Sequence, residues 1–286
     1  MKIAISAEST VDLSEELRKK YDIHIVSYTI LLGRKSILDQ DLKVQKIFDY
    51  VAETGILPKT SAVNPHQFKE HFTNLRKNYD AVIHFTLSSE MSASFCNANL
   101  AAEKLDNVYV IDSQSLSTGI ALLAIYAREL ADEGELPEEI VEKVKKRVPA
   151  VQASFVISRL DYLHKGGRCS LLQLLGADLL RMRPQIVVEH GQMRSNKKFR
   201  GKMSNVIQTY VETTLKDFPH PDKKYVFITY TTVIKSTLEK VIKRLEKEGF
   251  ENILPTHAGA TITSHCGEGT LGILYINDGG SKKQEK

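Results

Sequence analysis

The sequence predicts an α/β protein: an N-terminal, mostly parallel sheet with flanking helices, then a C-terminal α+β domain, with a ligand cleft between them. Three observations predict it. Short runs rich in Ile, Val, Phe and Tyr alternate with amphipathic segments through the first half, the pattern of a covered parallel sheet. The second half shows instead a hairpin signature and two long helices. A chain of 286 residues is also long for one hydrophobic core, so two domains are expected, residues 1–150 and 151–280, with a disordered tail at 281–286.

Taken in order, residues 2–7, 23–32, 81–87 and 108–112 are short and β-branched enough to be strands. Between them, Val44, Ile47, Phe48 and Val51 recur on one helical face, as do Phe68, Phe72, Leu75 and Tyr79. Residues 95–105, 117–133 and 137–148 give further helices, the last with a proline at its start. Past a boundary near 148–152, segments 184–189 and 192–199 flank His190-Gly191, a tight-turn pair. Helices follow at 204–218 and 233–248, the second closed by Gly249, and strands at 225–231, 261–265 and 271–277.

Bulk chemistry excludes several functions. Thirty-nine Lys and Arg against thirty-five Asp and Glu leave a net charge of +4, too mild for the basic stripe of a nucleic-acid binder. Three scattered cysteines suggest neither a disulfide framework nor a metal cluster, and nine histidines form no HExxH-type spacing. The first residues enter a strand without a signal-peptide pattern, and no apolar run reaches the roughly 18 residues that span a bilayer. A cytoplasmic, soluble protein is expected.

Four polar clusters fall at predicted strand ends, where open α/β sheets bind ligands. They are Lys59-Thr60-Ser61 in a loop, the Ser88–Ser94 stretch ahead of a helix, Lys165-Gly166-Gly167-Arg168, and the Thr263–Thr270 stretch containing His265. Hydroxyls feeding a helix start suit a single anionic oxygen group; helix capping by Ser92 or Ser94 explains the same residues. Arg168 after two glycines either brings a guanidinium to an anion or simply follows a helix C-cap. A Ser92–His265–Asp112 hydrolase lacks the Gly-x-Ser-x-Gly elbow, which favours binding over acyl transfer.

In order along the chain, these clusters resemble the DegV family, whose better-understood members are fatty acid-binding subunits of bacterial fatty acid kinase. The resemblance runs through Glu8-Ser9-Thr10-Val11-Asp12-Leu13, Lys59-Thr60-Ser61, Leu87-Ser88-Ser89 to Ser92, Ile111-Asp112-Ser113 and, most specifically, Asp161-Tyr162-Leu163-His164-Lys165-Gly166-Gly167-Arg168. Arg183-Pro184, Phe199-Arg200-Gly201-Lys202 and the stretch from His265 to Gly272 complete it. Here Glu8 stands for the family's opening Asp, and Gly267-Glu268-Gly269 for its frequent Gly-Pro-Gly.

The resemblance implies a non-catalytic carrier that buries a long-chain fatty acid and presents its carboxylate to an ATP-dependent partner kinase, which makes an acyl phosphate. No cofactor and no metal are implied. The carboxylate contacts would be Thr60, Ser61, Ser92, His265 and Arg168; Arg200 would dock the kinase or touch an anionic membrane surface. Glu268 beside the carboxylate would repel it unless turned to solvent. Segment 171–180 and the apolar face of 155–163 are candidates for the acyl tunnel. The alternatives are a self-sufficient serine esterase or thioesterase using Ser92 and His265, and a lipid-binding interaction module without a kinase.

Overall fold

A computed structural model describes residues 1–168 and 182–280. The first half runs β1 (Ile3–Glu8), α1 (Glu15–Lys20), β2 (Ile23–Val26), β3 (Thr29–Leu32), β4 (Lys35–Leu38), α2 (Gln45–Thr54) and β5 (Lys59–Ser61). It continues through α3 (Pro65–Leu75), β6 (Ala81–Thr86), α4 (Ser94–Ala102), β7 (Val108–Asp112), α5 (Thr118–Asp132) and α6 (Pro137–Arg147). The second half comprises β8 (Val151–Val156), α7 (Asp161–Gly166), β9 (Met182–Glu189), β10 (Gln192–Arg200), α8 (Met203–Asp217) and β11 (Tyr225–Tyr230). It closes with α9 (Lys235–Glu248), β12 (Asn252–His257), α10 (Ala260–Cys266) and β13 (Leu271–Ile276).

Strands β2-β1-β6-β7 form a parallel sheet, as the alternating pattern demands. A second sheet, β10-β9-β8-β13-β11-β12, is antiparallel except between β11 and β12. A small antiparallel sheet, β4-β3-β5, stands apart from both. Helix α5 is apolar on nearly every face, Ile120 through Ala127 included, so it must be enclosed. It packs against β1 and β6 of the parallel sheet and against β8, β11 and β13 of the other. One apolar core accordingly contains Ile5 and Phe85 from the first half together with Phe155, Phe227 and Leu274 from the second.

The hairpin between β9 and β10 turns at His190 and Gly191, whose φ angles of 49° and 78° are both left-handed. Gly191 is required for a second reason: a Cβ there would lie 2.6 Å from Ser88 Oγ. Ser88 Oγ donates to the Gly191 carbonyl at 2.7 Å, so the hairpin tip is fastened to the loop that leads to Ser92.

Three local expectations are corrected, and one strand was missed. Residues 261–265 are not a strand but most of α10: their alternating Thr pattern mimics a strand, whereas burial of Ala260, Thr261, Thr263, Ser264 and Cys266 leaves this short helix enclosed. The helix start is fixed from afar, since Asp39 Oδ1 and Oδ2 accept the Ala260 and Thr261 N–H groups, both at 3.0 Å. Segment 23–32 is not one strand; it breaks at Ser27-Tyr28 and changes sheets. Lys59-Thr60-Ser61, expected as loop, is the short strand β5, paired with β3. Strand β12 was hidden by Pro255, which an edge strand tolerates. Segment 171–180, Cys169 and the 281–286 tail lie outside the described residues. Among the described residues, no helix is long and apolar enough to cross a membrane.

Candidate functional site

A cavity of about 180 Å³ lies where α10, β5 and the Ser88–Ser92 loop meet. Leu87, Met91, Leu116, Leu163, Met193 and Ile262 give it an apolar wall. Its polar contributors are Tyr28, Thr60, Ser92, Arg168, Thr261 and His265. Few polar groups in an apolar wall is the composition of a site that takes an amphiphile and fixes its orientation.

Thr60 and His265 arrive from opposite ends of the chain. Strand alternation turns Thr60 inward on β5 while Ser61 is exposed, its Oγ donating weakly to the Ala62 carbonyl at 3.5 Å. Ser61 does not line the cavity. His265 sits in the last turn of α10, and its Nε2 lies 2.9 Å from Thr60 Oγ1. Its Nδ1 is buried without a partner, beneath Gly166, where a Cβ would come within 2.6 Å of that nitrogen. Burial, aided by the nearby Arg168 charge, pushes the His265 pKa down to about 4, so the ring is neutral at neutral pH. A neutral ring carries a single N–H; placing it on Nε2 avoids a buried unpaired donor at Nδ1 and lets Thr60 accept it. The Thr60 hydroxyl proton is then free to face the cavity.

A second hydrogen-bonded pair, this one of two hydroxyls, lines the same cavity. Ser92 Oγ lies 2.8 Å from the Tyr28 hydroxyl and accepts the Ser94 N–H at 3.2 Å. Burial and the charge of Glu8 push the Tyr28 pKa up, which keeps the phenol a neutral donor. The N-cap position of α4 is Ala93, without a side-chain cap bond, and it is Ser92 that satisfies the N–H of the first helical residue, so the capping reading holds together with a hydroxyl at the cavity. Behind this pair, Glu8 is buried at the end of β1, and its Oε2 accepts the Leu87 N–H at 2.8 Å.

Arg168 is the one cation among the described residues that line the cavity. Gly167, at φ 69°, is the left-handed C-cap of α7, and Arg168 Nη1 donates to the Gly166 carbonyl at 2.7 Å. The C-cap reading of the glycines therefore holds together with a guanidinium at the cavity. Arg200 lies exposed at the end of edge strand β10, outside the cavity lining. Glu268 is likewise exposed and outside it, so the repulsion expected of it does not act at this cavity. In the expected tunnel face, Leu163 lines the cavity while Phe155 belongs to the core.

Ser92, His265 and Asp112 do not form a hydrogen-bonded relay. Asp112 accepts from Ser89 Oγ at 2.5 Å and from the Gln114 N–H at 3.0 Å, and His265 pairs with Thr60 rather than Ser92. Among the described residues, no three His, Cys, Asp or Glu side chains are grouped to hold a metal ion. The sequence reading missed Tyr28, which sits at the break between β2 and β3, and Glu8, whose burial only the fold reveals. Their signals were a lone tyrosine in an apolar run and a carboxylate directly after one.

Fold and cavity together define a class: an α/β protein with two main sheets and a largely apolar cavity lined by hydroxyls and a buried histidine. Within that class the chain belongs to the DegV family, whose model, described as an uncharacterised protein of that family, matches residues 2–278. A DegV domain-containing protein of Caldanaerobacter subterraneus subsp. tengcongensis is 31% identical over 286 residues, covering 96% of this chain and 98% of that protein. A Thermotoga maritima protein named fatty acid-binding protein is 31% identical over 282 residues, covering 96% and 97%. The structure of a DegV lipid binding protein from Thermotoga maritima matches with a TM-score of 0.85 at 29% identity, over 96% of this chain and 98% of that one. DegV of Bacillus subtilis, described as a fatty acid binding protein, matches with a TM-score of 0.82 at 25% identity, over 97% and 100%.

Proposed function

We propose that this protein binds a long-chain fatty acid, with the carboxylate at Thr60, Ser92, His265 and Arg168 and the acyl chain along the apolar wall. The observation that carries the reading is that two hydrogen-bonded pairs, Thr60–His265 and Tyr28–Ser92, line one largely apolar cavity. Binding energy comes from the chain: about 14 methylenes at about 0.8 kcal/mol each offer roughly 11 kcal/mol before ordering costs. The hydroxyls and the guanidinium offset desolvation of the carboxylate and set its direction. Fatty acid binding by the Thermotoga and Bacillus relatives supports the same assignment.

The protein then acts as a cytoplasmic carrier, presenting the carboxylate to an ATP-dependent kinase that converts it to an acyl phosphate. Arg200, exposed on the sheet edge, belongs to the surface that meets that kinase. Arg168, the one cation that the described residues bring to the cavity lining, suits an anionic head group.

Thermal unfolding of delipidated protein with palmitate or with 1-hexadecanol tests the first part. Palmitate raises the midpoint by several degrees and the alcohol by much less; equal shifts, or none, would sink the carboxylate site. For the second part, acyl phosphate trapped with hydroxylamine should form only when ATP, carrier and kinase are all present. Hydroxamate formed by the carrier with ATP alone would overturn the carrier role.

A further inference from the structure

Among the described residues, the carboxyl of Glu8 has no cation for a partner. It is fully buried at the end of β1, and only neutral groups face it from the elements packed around it. These are the Thr10 hydroxyl at 3.4 Å, the Leu87 N–H after β6, Tyr28 ahead of β3, and Ser94 at the start of α4. Its second oxygen, Oε1, is buried without a hydrogen-bond partner. Leu87, Tyr28 and Ser92 all line the cavity, so Glu8 stands one side chain behind the place assigned to the ligand carboxylate. The other ionisable groups nearby act elsewhere: Arg168 on Tyr28 and His265, and Asp12 on Cys266.

Two carboxylates so placed, in an apolar enclosure to which the described residues bring one exposed guanidinium, cannot both stay ionised without a large electrostatic cost. Burial already holds the Glu8 pKa up at about 7 before any ligand enters. An incoming anion raises it further, because like charge disfavours ionisation.

We propose that Glu8 takes up a proton from solvent when a carboxylate enters the cavity, so that the fatty acid anion is bound together with one proton. The inference rests on the carboxylate reading of the cavity and adds to it a coupling residue that does not touch the ligand. The balance is simple: one O–H bond forms on Glu8, at the unpartnered Oε1, with the proton taken from solvent, and the ligand keeps its charge for the hydroxyls and Arg168. The site thereby discriminates by charge state, favouring a single negative charge in the enclosure.

Calorimetry with delipidated full-length protein and decanoate, below its micellar concentration, tests this in buffers of different ionisation enthalpy. The expected result at pH 7 is uptake of about half a proton per ligand, since half of Glu8 is protonated beforehand, rising toward one by pH 8.5. Affinity should fall up to about tenfold per pH unit above 7. Glu8→Gln should bind with a heat independent of buffer and an affinity flat from pH 6 to 8.5. Binding heats that are buffer-independent in the unaltered protein overturn the proposal even if the variant does not fold. Uptake that persists in Glu8→Gln overturns the assignment to Glu8 and transfers it to His265. If decanoate binds but without proton uptake, the carboxylate site stands and this inference alone fails; if neither decanoate nor palmitate binds, both fall.

Discussion

Ser92 carries the sharpest residue-scale consequence, because its hydroxyl lines the cavity and is hydrogen-bonded to the Tyr28 hydroxyl at 2.8 Å. Ser92→Ala removes one hydrogen bond to a charged group, and fatty acid affinity should fall about tenfold or more while the unfolding midpoint stays within a few degrees. Competition with a fluorescent fatty acid measures it; unchanged affinity would remove Ser92 from the site. Glu8 gives a second prediction, on stability alone. Its folded pKa lies above its unfolded value, so it favours the native state at low pH, and that advantage is lost as pH rises through about 7. The midpoint of Glu8→Gln should therefore gain on the original protein between pH 5 and 8, as read by thermal scans without ligand. Thr60, Ser92 and His265 were legible because hydroxyls and a histidine at segment ends are conspicuous. Glu8 and Tyr28 were not, because their role comes from burial among groups distant in sequence.

At the scale of elements, α10 decides whether the cavity has a histidine at all. Asp12 accepts the Gly259 N–H at 2.8 Å and the Ser117 hydroxyl at 2.6 Å, and Asp39 accepts the next two N–H groups. Two carboxylates from the first fifth of the chain thus fix where this helix begins, and with it where His265 ends up. Asp39→Ala leaves two buried N–H groups unpaired, at a cost of about 1–3 kcal/mol each. Urea midpoints should drop accordingly, and hydrogen exchange of the Ala260 and Thr261 amides should accelerate; Asp39→Asn should lie between. Full protection in Asp39→Ala would show that the helix start is held by something else. Local pattern could not foresee α10, since alternating threonines read as a strand and the residue that sets its helical start lies at position 39. It did foresee β1, β6, β7 and the hairpin, whose periodicity and turn chemistry are local.

Across the whole molecule, α5 makes the two main sheets share one interior, and acid should unfold them through a different cluster. Ser6 Oγ lies 2.7 Å from His71 Nε2 and 2.9 Å from His84 Nδ1, between α3 and the parallel sheet. Burial lowers both pKa values, that of His71 to about 4 and that of His84 well below the usual range. Both rings are neutral in the native state while the unfolded chain protonates them near 6.5, so stability is lost as pH falls below that value. The urea midpoint should decline from pH 7 to 5, and His84→Gln should flatten the decline; an equal slope in the variant would acquit the pair. The division into an alternating first half and a hairpin-bearing second half was readable from period and length, whereas the sharing of one core across both was not.

Position along the chain also sets an order of assembly. Ile30, Leu42, Ile47 and Phe48 form a small apolar cluster that is closed by Ala260, at the start of α10. Synthesis proceeds from the N-terminus, so that cluster stays uncapped on the ribosome until residue 260 has emerged. The pairing of Thr60 with His265 waits for the same event. A nascent chain thus cannot complete this corner of the cavity before His265 has left the ribosome, 205 residues after Thr60.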